Sequence, residues 1–337
     1  MSTRTVDILP IEKYSSWDSF VGSSPQGSVF QTSAWIETMA GLFHLQPQIL
    51  AAMEDDRIIG GIVLYRKKRL GVQIATQPPI VPYNGIIHMD DREKKPQKKQ
   101  ADEAEITELL LRRIEQEVRY AHFSLSPAID DVRPYHWCRW KTHVQFTYWN
   151  SLQNLTAGWE ALSPSLRRKI TRAREKTYTI SESGDIATLV RLQEQSYARS
   201  RQHPVIGNDL YVNLCTLLRD KGLVKVYSIS DQDGRVHSSR AIVLSGRTAF
   251  YWISGSQPAT TEDFTSHLLL WEIFERLSKT GIERFDFMGA NTPSIVEFKR
   301  SFGGTLVNYY DVSWYKPKAL KILIDMNNLT YTIRRRM

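Results

Sequence analysis

The sequence predicts an α+β or mixed α/β fold in two domains, each a mixed central sheet flanked by helices. Three observations carry that reading. At roughly 150 residues per domain, a chain of 337 residues holds two. Residues 223–255 contain three apolar strands, LVKVYSIS, VHSSRAIVLS and TAFYWISGS, separated by the tight turns DQDG and SGRT, the pattern of an antiparallel meander. A long amphipathic helix, DFTSHLLLWEIFERLSKTG, then leads to the strand ERFDFMGA, and such a crossover leaves the strands it joins parallel. The first half shows a similar order of strands, helix and strand, without a close sequence repeat.

In the first half, VFQTSAW leads into a helix over ETMAGLF, with Thr32 or Ser33 as its N-cap. PQILAAME and RIIGGIVLYRKK read as strands joined by an Asp55-Asp56 turn. QPPIVPYNGII is a loop stiffened by prolines. Residues 88–104, HMDDREKKPQKKQADEA, have almost no apolar content and read as an exposed, mobile loop. In EITELLLRRIEQEVRYA, Ile106, Leu109, Leu110, Ile114 and Val118 share one helical face. AHFSLSPAI follows as a strand, and RPYHWCRWKTHVQFTYWNSL is aromatic and strand-like.

The second half opens near Leu155 with the short helix LTAGWEAL, and Ser163-Pro164 starts another, LRRKITRAREK. DIATLVRLQEQSYARSR and DLYVNLCTLLRDKG are further helices, the second with Gly222 as its C-cap. After the meander and crossover come the short helix SIVEFKRSFGG and a last strand, VNYYDVSWY. The expected domains are 1–150 and 151–315, with 316–337 as a basic tail or capping helix.

Hydrophobic content of 42% and charged content of 24% exclude a wholly disordered chain, a collagen-like chain and a disulfide scaffold. Cys138 and Cys215 have no partner motif, which fits a reducing compartment, and the 8 histidines show no ligand spacing, so no metal is expected. The N-terminus lacks a signal-peptide h-region, and no apolar run approaches the ~20 residues that span a bilayer. The expected location is cytoplasmic, with peripheral contact at the inner face of a membrane if ALKILIDMNNLTYTIRRRM forms an amphipathic helix touching anionic lipid. Charge is lopsided. Residues 1–150 carry 18 Lys+Arg against 18 Asp+Glu, so the net +8 falls wholly on residues 151–337, with 26 against 18. An excess confined to one half points to an anionic partner, for which a phosphate-bearing cofactor, a nucleotide-linked substrate, transfer RNA and an anionic membrane are all candidates; a solvated basic surface is the plain alternative.

Three stretches, FYWISGS (250–256), HLLLWEIFERLSKTGIERFDFMGA (267–290) and VEFKRSFGG (296–304), resemble the C-terminal domain of the Fem-type acyl and aminoacyl transferases, a branch of the GNAT (Gcn5-related N-acetyltransferase) superfamily. The last is the most specific: Phe-Lys-x-x-Phe-Gly on a short helix directly after an Asp-bearing strand. VFQTSAWIETM (29–39) and LRRKITRARE (166–175) are weaker matches, and the resemblance spans roughly residues 27–315. It implies two GNAT-like domains and transfer of an acyl or aminoacyl group onto an amine. The donor it implies is acyl-CoA or aminoacyl-tRNA, and some members build the cross-bridge of peptidoglycan precursors. Two family features are absent. GSQPATTEDF (255–264) stands where ordinary GNAT enzymes carry a glycine-rich pyrophosphate loop, and there is no long coiled-coil arm of the kind some tRNA-using members have.

Acyl transfer to an amine needs a deprotonated amine, an aligned acceptor and a stabilised oxyanion. By resemblance, Lys299 supports charge developing at the transferred carbonyl; a surface lysine lying along Phe298 is the plain alternative. Asp286, on the opposite strand face from Phe285 and Phe287, is placed to orient an amine, to anchor Lys299 or to accept backbone amides at a strand end. Tyr251 and Trp252 end the third strand of the meander, where GNAT folds splay to admit the donor; alternation sends one into the cleft and one into the core. The basic helix puts Arg168, Arg172 and Lys176 on one face at i, i+4 and i+8, suited to a pyrophosphate or RNA backbone. Tyr197 and Arg199 follow a helix the family uses near its acceptor cleft. Trp35, Tyr83 and Asn84 are acceptor-cleft candidates in the first domain, with core or turn roles as the alternative. The reading is an N-acyltransferase with a small-molecule or nucleotide-linked acceptor; the alternative is a non-catalytic GNAT-fold protein that binds RNA or anionic lipid through its basic half.

Overall fold

The computed structural model describes residues 4–69, 71–182, 184–258 and 264–316. The expected tail therefore lies outside the described residues from 317 on. The chain divides into two compact units: residues up to Gln145 together with those from Asn308, and Phe146–Val307.

The first unit runs β1 (Arg4–Ile8), α1 (Tyr14–Ser23), α2 (Ser33–Phe43), β2 (Gln46–Glu54), β3 (Arg57–Arg69), β4 (Val72–Thr76), β5 (Ile87–His88), α3 (Pro96–Glu117), β6 (Tyr120–Ser124) and α4 (Arg133–Trp137). Strand β7 (Lys141–Ser151) leads into the second: α5 (Leu155–Ala161), α6 (Pro164–Arg174), β8 (Thr179–Ser181), α7 (Ile186–Arg199), α8 (Asn208–Asp220), β9 (Val224–Ser230), β10 (Val236–Ser245), β11 (Thr248–Ser256), α9 (Thr265–Ser278), β12 (Arg284–Asp286), α10 (Pro293–Ser301) and β13 (Thr305–Tyr315).

The two units share a motif. In the first, β2, β3 and β4 form an antiparallel meander, α3 crosses over, and β6 joins β4 in parallel with Ile74 opposite Tyr120. In the second, β9, β10 and β11 form the expected meander, α9 crosses over, and β12 joins β11 in parallel with Thr248 opposite Arg284. Each crossover helix buries one stripe on its sheet. Leu110, Leu111 and Ile114 of α3 pack with Ile62, Leu64 and Ala121, and Leu269, Ile273 and Phe274 of α9 with Ile242, Ala249 and Phe285. Helix α7 lies so close to β11 that a Cβ on Gly255 would come 2.3 Å from the backbone nitrogen of Gln193, which is why glycine stands there.

Each unit takes its last strand from a distant part of the chain. Residues 311–315 of β13 pair with β6, and residues 149–151 of β7 pair with β12. Nothing in local sequence announces this exchange.

Other differences from the expectations have local causes. The stretch 88–104 is not a loop: β5 pairs with Gly60 and Gly61, and α3 starts at Pro96. Proline suits a first helical turn, and all of KKQADEA except Asp102 are good helix formers. Ion pairs replace the missing apolar face there, with Arg4 reaching Asp102 at 2.9 Å and Glu105 at 2.7 Å, and Lys94 reaching Asp102 at 2.9 Å. The aromatic stretch read as one strand begins with α4, with proline in its first turn. Strand β8 was not foreseen. Thr32 is the N-cap of α2 by position, but its side chain makes no capping bond; Asp18 of α1 accepts the Ser33 N–H instead, at 2.7 Å.

Candidate functional site

The second sheet opens where β11 and β12 part. Their parallel pairing covers only Thr248–Phe250 and Arg284–Asp286, after which β12 stops and β11 continues to Ser256. On the other side of β11, the register with β10 slips between Ala241 and Ile242. Trp252 is the extra residue, and a bulge of this kind bends the strand away as it leaves β12.

The chain leaving β12 turns at Met288, whose φ of 52° is a left-handed conformation that costs a residue bearing a side chain. Two buried side chains hold that turn. Asp286 accepts the Met288 N–H at 2.8 Å and the Thr147 hydroxyl at 2.6 Å on Oδ1, and the Trp149 indole N–H at 2.9 Å on Oδ2. Lys299 of α10 donates from Nζ to the carbonyl oxygens of Phe287 at 2.7 Å, Met288 at 3.0 Å and Gly289. An ammonium has three N–H bonds, so each of its donors has a carbonyl. Exposure is 5% for Lys299 and 1% for Asp286. Burial pushes Lys299 down to about 8, and the nearby Asp286 charge resists that fall.

Tyr251 lies beside this clamp, its ring 5.7 Å from that of Phe287, with Lys299 Nζ 6.0 Å from the ring centroid. Alternation is thus resolved. Tyr251 packs against the core on the α9 face, while Trp252 is half-buried at the bulge. Phe298 is half-buried, 5.3 Å from both the His267 and Phe302 rings.

Sequence reasoning missed Arg240 of β10. Its guanidinium sits 5.6 Å from the Tyr251 ring at 3% exposure. Nη1 donates to the carbonyls of Ser239 and Gly255, both at 2.9 Å, and Nη2 to the Ser266 hydroxyl on α9, while Nε has no hydrogen-bond partner. The available signal was a lone cation inside the apolar run RAIVL. Thr147 and Trp149, which hold Asp286, were missed as well, and no sequence signal marks them.

The basic helix makes a separate patch. Helix α6 buries Leu166, Ile170 and Ala173 and turns Arg167, Arg168 and Arg172 toward an open cavity of about 520 Å³ flanked by Trp159. None of these three arginines has an ion pair among the described residues. Arg174 differs, held at 2.8 Å by both Glu272 and Glu275 and lying over the Trp159 ring. The expected three-residue stripe is shorter than foreseen. The helix ends at Arg174, and the Lys176 N–H bonds back to Ala173 in a tightened last turn, so Lys176 leaves the face that carries Arg168 and Arg172.

Arg199 donates to the Ser256 carbonyl at 2.6 Å and so ties the end of α7 to the end of β11. Tyr197 is hydrogen-bonded to Tyr211 of α8. In the first unit, Trp35 is fully buried against Phe30, and Tyr83 is buried edge-on to Tyr309. Asn84 is buried too, donating to the Val63 carbonyl at 2.9 Å. These three are core residues. The structure brings Lys299, Asp286, Tyr251 and Phe298 together and leaves Trp35 and Tyr83 without surface to offer a ligand.

Residues 164–300 match the family described as acetyltransferase (GNAT) domain. The chain is similar to the crystal structure of FemX over 94% of its own length and 99% of the other, at 15% identity and a TM-score of 0.70. Residues 164–300 therefore form a GNAT domain, within a chain that has the fold of FemX. A similar fold appears in the C-terminal domain of a putative lysylphosphatidylglycerol synthetase from Agrobacterium fabrum, at 12% identity and a TM-score of 0.56, covering 94% of this chain and 97% of that one. It appears again in a tandem GNAT protein from the clavulanic acid biosynthesis pathway, at 8% identity and a TM-score of 0.53, covering 93% and 98%. At these identities the likeness shows the fold. No curated protein sequence matches the chain at a significant level. Among the described residues, no group of three His, Cys, Asp or Glu side chains is placed to hold a metal ion, and no helix is long and apolar enough to cross a membrane.

Proposed function

We propose that this GNAT protein is an N-acyltransferase that moves an acyl or aminoacyl group from acyl-CoA or an aminoacyl-tRNA onto the amine of a small-molecule or nucleotide-linked acceptor. The observation that carries this reading is the parting of β11 from β12 directly above the Lys299–Asp286 clamp. An acyl donor lying along β11 past Phe250 would bring its carbonyl toward Tyr251 and the 287–289 turn. Lys299 supplies positive charge and shape rather than a direct hydrogen bond, because its three N–H bonds already have carbonyl partners. A preorganised buried charge of this kind stabilises a developing oxyanion by several kcal/mol where water is excluded. Asp286 keeps the turn in register, and Arg199 fixes the far end of β11. Acyl-CoA is the donor GNAT domains favour. The likeness to a putative lysylphosphatidylglycerol synthetase supports a cell-envelope acceptor and an aminoacyl donor.

A second reading has its own observation. Arg167, Arg168 and Arg172 face solvent without carboxylate partners beside Trp159, the chemistry of an RNA or anionic-lipid surface. One experiment separates the two. Thermal stability is followed at fixed low salt with acyl-CoAs, nucleotide-linked sugars, charged tRNA, uncharged RNA and anionic vesicles. A ligand at ~100 times its dissociation constant adds about 2.7 kcal/mol. Stabilisation by one donor class that is lost in Lys299→Met, with transfer to an amine in the matching assay, supports the enzyme. Stabilisation by RNA or vesicles alone, lost on charge reversal at Arg168 and Arg172, supports the binding protein.

A further inference from the structure

Helix α6 carries a charge pattern that acyl transfer does not use. Arg167, Arg168 and Arg172 lie within roughly 8 Å along the helix axis. With Pro164, Thr171 and Trp159 of α5 they line an open hollow of about 520 Å³. None of the three has an ion pair among the described residues, and like charges at i and i+4 weaken a helix. The helix cannot roll to separate them, because Leu166, Ile170 and Ala173 are buried on its other side and Arg174 is held by Glu272 and Glu275. An anion outside the chain completes this face, and the whole +8 of the protein lies in the half that carries it.

Three kinds of anion differ in what they ask of such a face. A soluble phosphate is held tightly where backbone N–H groups join the side chains. This helix start offers little of that: Pro164 has no N–H, and Ser163 Oγ accepts the Leu166 N–H at 3.2 Å. Arg168 and Arg172 are exposed, so their guanidiniums follow a charge rather than fix its position. Single-stranded RNA needs open aromatic faces for its bases. Trp159 is the only aromatic residue lining the hollow, and its ring is engaged. Arg174 lies over it at 5.8 Å, and the Trp271 ring meets it at 63° with centroids 5.0 Å apart. An anionic bilayer needs neither device. Its headgroups meet mobile guanidiniums as a field of negative charge, and a half-buried indole suits the level of the headgroups.

We propose that this face of α6 docks the protein peripherally on a bilayer rich in anionic phospholipid, with Arg167, Arg168 and Arg172 on headgroup phosphates and Trp159 at headgroup level. The inference rests on the second reading above for the charge of this face, and it chooses the bilayer over RNA. If neither RNA nor vesicles bind, both fail; if RNA binds and vesicles do not, only this inference fails.

The test is sedimentation of the full chain with vesicles of phosphatidylcholine alone and of equimolar phosphatidylcholine and phosphatidylglycerol. Each cation near an anionic surface is worth about fivefold in binding, so the three should favour the anionic vesicles by about 100-fold, less as salt is raised. Arg168→Ala with Arg172→Ala should lose about 25-fold of that preference. Arg247→Ala removes a cation of the same unit that is already paired with Glu283, and should change binding by less than about twofold. Brominated lipid in the anionic vesicles should quench tryptophan fluorescence, and Trp159→Phe should reduce the quenching. A uridine oligonucleotide at the same phosphate concentration should bind more weakly than the anionic vesicles. Equal binding to both kinds of vesicle, an unchanged affinity in the double variant, quenching unchanged in Trp159→Phe, or tighter binding of the oligonucleotide would each overturn the proposal.

Discussion

Helices α3 and α9 hold the same place in their units, each carrying the chain from the last strand of a meander to a parallel neighbour, yet charge is handled differently around them. In the first unit, acids and bases are closed on one another. Arg4 holds Glu54, Asp102 and Glu105, and Arg66 and Arg113 share Glu117. These pairs dock a helix whose first turns have little apolar surface. In the second unit, Lys299 and Arg240 are buried on backbone carbonyls, and Arg167, Arg168 and Arg172 have no ion pair among the described residues. The difference teaches what an uneven net charge means. The neutral half uses its charges to fasten its own elements, while the basic half keeps part of its excess at an opening in the sheet and part on an exposed helix.

The largest effect should come from the buried cation. Lys299→Met leaves three carbonyls without their donor and releases the Met288 turn, for an expected loss of about 3–5 kcal/mol by analogy with breaking a buried charged pair. Urea unfolding measures it, and a cost below about 1 kcal/mol would mean that the clamp is not what holds the turn. Because Lys299 loses its proton near 8, transfer that depends on its charge should slow as pH rises through about 8. A flat rate across that range removes the charge from the mechanism.

The matching group in the first unit is His88, with its folded-state value lowered from 6.5 to about 4. Between those values the unfolded chain binds the proton and the folded chain does not. The first unit should therefore lose up to roughly 3 kcal/mol as pH falls from 6.5 to 4, and little more from this group below that. Hydrogen exchange at the amides of β3 and α3 reads the loss, and His88→Gln should flatten it. Asp286→Asn comes next. The amide keeps an acceptor for only part of the set that Asp286 now serves, so about 2 kcal/mol should go, with slower transfer. An asparagine variant as stable as the parent would reduce Asp286 to a spectator.

The smallest stability effects belong to the basic helix, where the contrast between its arginines is the test. Arg168→Glu with Arg172→Glu should leave stability within about 0.5 kcal/mol and abolish salt-sensitive anion binding. Arg174→Ala should do the reverse, losing up to about 1 kcal/mol with its two glutamates and leaving binding intact. If Arg174→Ala weakens binding as much as the double reversal does, the division between structural and free arginines on α6 fails.

Much of the layout was legible without coordinates, for a physical reason: periodicity is local. The alternation of β9 to β11, the apolar stripe of α9 and the Ser163-Pro164 helix start are each written within about a dozen residues, which is the range over which hydrogen-bonded elements select side chains. The charge split and the Phe-Lys-x-x-Phe-Gly segment were readable in the same way. The start of α3 was not, because its polar first turns are held by Arg4, which lies 98 residues from Asp102. Nor was the environment of Asp286, whose hydroxyl partner Thr147 is 139 residues away. Arg240 was visible as an oddity, but its bonds to Gly255 and Ser266 needed β11 and α9 in place. Trp35 and Tyr83 went to the core because aromatic side chains gain more from full burial than from lining a cleft, and only the packed unit shows which of its aromatic residues that applies to. The sequence by itself determined the kinds of elements, their order and the half that carries the charge. Tertiary structure alone decided which strands trade places and which charges end beneath the open sheet edge, because those outcomes depend on contacts between residues that local periodicity cannot connect.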